Sequence, residues 1–111
     1  MDKRVAKTAA AGDGKASALL INSLSDQCET KIKDAGEFAD CQRELYNWAL
    51  IDAENGGSGG ASIVYLRLSQ NDDCPSLERA RYWISRMRSI SGDGGEGTLE
   101  LVDNKLKSCK P

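Results

Sequence analysis

Apolar side chains recur along this chain at steps of three and four residues, and clusters of glycine interrupt them. The clearest stretch is residues 77–90, where Leu77, Ala80, Trp83, Ile84, Met87 and Ile90 mark one face, the spacing of an amphipathic helix. Residues 15–27 carry Ala18, Leu20, Ile21 and Leu24 at similar steps. A third helix is predicted from Asp40 or Cys41 onward: Leu45, Trp48, Ala49, Ile51 and Ala53 form a broad apolar face, with Asp40 as its N-cap. Residues 61–71 bring Ile63, Val64, Leu66 and Leu68, and residues 98–108 bring Leu99, Leu101, Val102 and Leu106. β-Branching in the former would also permit a strand, but its register with the other segments favours a helix. Residues 2–11 form a short helix that stops at Gly12.

The polar punctuation between these segments has a regular phase. Glycine turns are predicted at 12–14, 56–60 and 92–97, and Asp73-Cys74-Pro75-Ser76 combines a capping side chain with a proline suited to a first helical turn. Residues 29–40, with Gly36 and only Ile32 and Phe38 as sizeable apolar groups, read as a connecting loop. Gly56-Gly57-Ser58-Gly59-Gly60 admits three readings: an inserted flexible linker, a phosphate cradle, or a hairpin turn. The lysine and Ser/Thr that complete a P-loop are missing. The coincidence in phase with the other glycine turns favours the hairpin turn.

Trp48 to Trp83 is 83 − 48 = 35 residues and Cys74 to Cys109 is 109 − 74 = 35, so two unrelated markers give one period. A period of this size with two helices per unit is that of helix-turn-helix solenoids. The order Trp48, Ala53, Gly56 or Gly57, Ala61 and Tyr65-Leu66, echoed more loosely by Trp83, Gly92 and Leu101, resembles the Sel-one-like repeat family, relatives of the tetratricopeptide repeats. The resemblance spans most of the chain outside residues 29–40. The expected architecture is an all-α solenoid of αα-hairpins: one domain, 1–111, of three repeats at 1–28, 41–74 and 75–109, with a connector at 29–40. The resemblance implies an adaptor. Small exported bacterial proteins of that kind include regulators of envelope proteins and immunity proteins that neutralise toxins.

Composition narrows the chemistry. Fifteen basic and 17 acidic side chains leave a net charge of −2, which offers no broad field for nucleic acid. No apolar run approaches the roughly 20 residues of a membrane helix, so no membrane insertion is expected. Histidine is absent, which removes the commonest general base and metal ligand. Neither a metal nor a cofactor is expected. Glu44 and Glu78 are conceivable catalytic carboxylates, but surface carboxylates on helices are ordinary, and the chain is read as a non-enzyme. An enzyme or enzyme subunit is the alternative, and a self-associating structural adaptor a further one.

Four cysteines, Cys28, Cys41, Cys74 and Cys109, suit a disulfide framework. Three pairings are open, and Cys28–Cys41 with Cys74–Cys109 is the economical one, stapling the connector and the last two units. A zinc site lacks both a close Cys-x-x-Cys pair and histidine. The chain begins abruptly at Met1 in what the later repeats imply is mid-helix, so a removed leader and a periplasmic or secreted location are expected. Arg79, Arg81, Tyr82, Trp83, Arg86 and Arg88 concentrate the residue types that dominate interface hot spots. The partner-facing candidates are Arg81 and Arg88, seven apart on one face, with Tyr82 and Arg43 as outside candidates. The partner is expected to be another protein, a toxin or an envelope enzyme with an acidic surface.

Overall fold

The computed structural model describes residues 3–111, which form six α-helices: α1 (Lys3–Ala10), α2 (Gly14–Glu29), α3 (Ala35–Glu54), α4 (Ser58–Leu68), α5 (Cys74–Ser91) and α6 (Glu96–Leu106). Among the described residues the only β-type pairing is an isolated bridge between Asp73 and Lys110. The chain divides into two compact units, residues 1–60 and 61–111, with the boundary inside α4.

In the first unit α1 packs on α2 and α2 on α3. The turn between α1 and α2 is short because Asp13 caps α2, accepting the amides of Lys15 and Ala16 at 2.9 and 3.0 Å, while Gly12 takes the positive φ of +107° that ends α1. Ala9, Ala16 and Leu20 form a buried cluster against which Val5, Ala6 and the half-buried Trp48 pack. Further along α2, Leu20, Ile21, Leu24 and Cys28 are buried, and Cys28 is bonded to Cys41 of α3 with a Cα–Cα distance of 5.5 Å.

The predicted connector at 29–40 is mostly helix. The N-cap is Asp34, whose side chain accepts the amide of Glu37 at 3.0 Å, and the loop shrinks to residues 30–34. Asp-x-x-Glu is a capping signature, and here it outweighs the helix cost of Gly36, which sits in the first turn. Asp40, the expected cap, instead pairs with Arg43 one turn later.

Helix α4, which the unit boundary divides, starts inside the glycine run at Ser58 rather than at Ala61. Its buried residues are Ala61, Val64, Tyr65 and Leu68, whereas Leu66 is 48 % exposed, a register one residue away from that expected. The α5 stripe of Leu77, Ala80, Trp83, Ile84 and Met87 is buried as the periodicity predicts, except that Ile90 lies exposed beyond it. Asp73 caps this helix and Gly92, at φ +88°, ends it. Helix α6 packs on α5 and buries Val102 completely, while Leu101 faces out.

The last helix, expected over residues 98–108, stops as α6 at Leu106, and the chain turns through Lys107 and Ser108 into a short tail. The tail is held because its polar groups find partners beside the start of α5: the Cys74 amide donates to the Lys110 carbonyl at 2.6 Å and the Lys110 amide to the Asp72 carbonyl at 3.0 Å. Cys74 and Cys109 are bonded, Cα–Cα 5.1 Å. Lys105 of α6 closes the end of α4, its Nζ donating to the carbonyls of Ser69 and Asn71 at 2.9 and 3.4 Å and lying 3.3 Å from the Asp72 carboxylate. All four cysteines are therefore in disulfides, a state that persists in oxidising compartments. No described helix is long and apolar enough to cross a membrane.

Candidate functional site

Two places hold concentrated polar chemistry, one buried in the first unit and one open in the second. The buried one centres on Asp52, which is 1 % exposed. It follows Leu45 and Ala49 on the apolar side of α3 at steps of four and three. The Ser17 hydroxyl donates to Asp52 Oδ1 at 2.5 Å and the Gly60 amide to Oδ2 at 2.8 Å. The Gly57 amide donates to the Asp52 carbonyl at 2.8 Å. Asn55 extends the set through Nδ2, which reaches the Ala9 carbonyl at 3.2 Å and Ser17 Oγ at 3.3 Å.

Glycine is a steric requirement at two positions of this turn. A Cβ on Gly57 would run into the Asp52 carboxylate, and one on Gly60 into the Ala49 carbonyl and the Asp52 side chain. The glycine run is thus shaped around a buried carboxylate. With its oxygens occupied by Ser17 and Gly60 and no access to water, Asp52 is placed to fix the α3–α4 turn rather than to meet a substrate. In the second unit Met87, 35 residues after Asp52 (87 − 52 = 35), is buried; Ser62 Oγ lies 3.8 Å from its sulfur, and Gly94 and Gly95 leave room for its methyl group and for Ile84.

The open site lies on the outer side of α5. Burial of Trp83 and Ile84 turns Arg81, Tyr82 and Ser85 toward solvent. Tyr82 is 53 % exposed, yet its ring meets that of Trp83 edge to face at 5.1 Å and its hydroxyl accepts from Arg86 Nη1 at 3.1 Å. The same guanidinium lies 5.7 Å from the Trp83 ring centre, within cation–π range. Across the helix pair, Arg81 Nε is 3.5 Å from Asp103 Oδ1 of α6. Glu78, Arg81, Tyr82, Ser85 and Leu106 line an open groove of about 540 Å³.

Of the residues singled out in the sequence, Arg81 and Tyr82 meet in this groove. Arg88 is half-buried and does not line it. Its charge bears on Glu96, whose carboxyl is held below its ordinary value chiefly by its own amide, then by the Gly94 amide at 3.1 Å, and also by Arg88. Arg43 belongs to the first unit, on α3, with Asp40 as its partner. Glu78, considered above as a catalytic acid, lines the groove, whereas Glu44 is exposed on α3. Asp103 was not singled out and Leu106 only as an apolar position of the last helix: their place in the groove depends on how α6 lies on α5, which periodicity does not specify. The signal for Asp52 was present, since a lone carboxylate on an apolar stripe followed by Gly-Gly-x-x-Gly needs an internal donor set.

Among the described residues no cluster of three His, Cys, Asp or Glu side chains is arranged to hold a metal ion. Comparison with protein-family models, with curated proteins and with solved structures returns no match for this chain.

Proposed function

We propose that this chain is a protein-binding module of the bacterial envelope, a repeat-built inhibitor of the immunity-protein type that neutralises a secreted toxin. The observation that carries the reading is Tyr82: a large aromatic more than half exposed, held in one orientation by Trp83 and Arg86, beside Arg81 and an open groove. Tyrosine and arginine that are fixed before binding lose little conformational entropy on contact, which is how a few residues come to dominate an interface. Disulfides in both units suit a periplasmic or secreted location. The absence of histidine and the 35-residue spacing of the two tryptophans favour a helical-repeat binder over an enzyme.

The reading is tested by calorimetric titration of the purified products of the genes flanking this one against the wild-type chain and against Arg81→Glu and Tyr82→Ala. A nanomolar complex weakened by roughly 30-fold or more in each variant is expected, the loss typical of a hot-spot residue. Affinity unchanged in both variants would exclude this face. A chain that binds only itself would favour the self-associating adaptor.

A further inference from the structure

The two disulfides differ in their access to solvent. Cys28 and Cys41 are 1 % and 5 % exposed, enclosed between α2 and α3. Cys74 and Cys109 are both only half-buried, and Cys109 lines an open depression of about 200 Å³ with Asp72, Lys105, Ser108 and Lys110. Thiol–disulfide exchange requires a thiolate to approach one sulfur in line with the bond, so access governs its rate. A buried disulfide must wait for a local opening of the fold.

We infer that Cys74–Cys109 is a thiol-exchange site that a dithiol reductant can open in the folded protein, while Cys28–Cys41 remains a structural bond. One thiolate of the dithiol attacks Cys109 Sγ from the depression, whose lining carries Lys105 and Lys110 against the carboxylate of Asp72. The Sγ–Sγ bond breaks and its electron pair leaves on Cys74 Sγ, which takes up a proton. The second thiol of the reductant then displaces Cys109 from the mixed disulfide. The dithiol ends as a disulfide, and the protein gains two thiols. Cys74 suits the leaving role, because it opens an 18-residue helix whose dipole favours an anion there and opposes the neighbouring Asp73 charge.

Reduction would remove the covalent hold on the tail after α6. What remains is the backbone pairing of Lys110 with Asp72 and Cys74. Leu106, a wall of the α5 groove, lies three residues before Cys109, so the redox state of this bond would bear directly on the end of that wall.

The test is a time course with dithiothreitol under native conditions, quenched with iodoacetamide and read by peptide mass, with circular dichroism recorded in parallel. Alkylation of Cys74 and Cys109 is expected at least roughly tenfold faster than that of Cys28 and Cys41, with helicity retained during the first phase. Equal rates, the reverse order, or loss of helicity in step with the first alkylation would overturn the inference. Lys110→Glu should slow the first phase several-fold at low salt, and an unchanged rate would overturn the depression as the route of entry.

Discussion

Asp52 occupies a place on α3 where the apolar stripe would ordinarily carry a leucine, and the residues around it are fitted to that choice. A buried carboxylate is costly unless its oxygens are hydrogen-bonded, and Ser17 and the Gly60 amide meet that demand. Ser17→Ala removes one donor without enlarging the side chain, so it should cost about 1–3 kcal/mol in urea unfolding. The glycines give a sharper test, because neighbours in one run should respond in opposite directions. Gly60→Ala sets a methyl group against the Ala49 carbonyl and Asp52 and should destabilise by about 1–3 kcal/mol. Gly59→Ala meets only the flexible Ile21 Cδ1 at 3.3 Å and gains helix propensity, so it should be neutral or stabilising by up to about 1 kcal/mol. A slack linker would tolerate both changes equally.

At the scale of the helices, much was legible in the sequence, and the two misplaced ends have different causes. The buried face of α5 follows directly from its spacing, because five of six predicted apolar positions are buried. The start of α3 was missed because Gly36 and a polar composition masked a cap at Asp34. The end of α6 was misplaced because its tail is stabilised by a partner segment, residues 72–74, distant in sequence. Local pattern reports local preference, and these two ends are decided by a capping side chain and by a tertiary contact. Asp34→Ala should therefore fray the first turn of α3 and cost about 1 kcal/mol, read as faster amide exchange near Glu37. The cap of α5 adds a pH dependence. Asp73 is held below its ordinary value of 3.8 by the Ser76 hydroxyl first and by the Ser76 amide second. A carboxyl with a depressed folded pKa contributes its full stability above the unfolded value and loses it as pH falls through the folded one. Asn caps a helix nearly as well as Asp but does not titrate. In Asp73→Asn, melting temperature should thus fall less steeply below about pH 4 than in the wild-type chain.

At the scale of the whole chain, the cysteine pairing was readable, since helix ends and a connector leave few sensible partners, but the unequal burial of the two bonds was not. The open groove was half readable: Arg81 and Tyr82 lie on one helix, whereas Asp103 and Leu106 come from another. The two bonds also allow two accounts of disulfide stabilisation to be separated. By loop closure alone, the Cys28–Cys41 bond with its separation of 13 residues contributes about 3 kcal/mol, and the Cys74–Cys109 bond with 35 about 4 kcal/mol. Packing works in the other direction. The sulfurs of Cys28 and Cys41 are almost wholly enclosed, and truncating them leaves vacant space that costs about 1 kcal/mol or more in addition. The second pair is only half-buried, and Cys109 lines an open depression, so its truncation leaves less enclosed space. Paired replacement by alanine should therefore destabilise the first unit at least as much as the second, despite its shorter loop. Denaturant unfolding followed by amide exchange within residues 1–60 and within 61–111 would read the two losses separately. A clearly smaller loss for Cys28→Ala with Cys41→Ala would mean that loop length governs, and that the buried sulfurs add little beyond the bond they form.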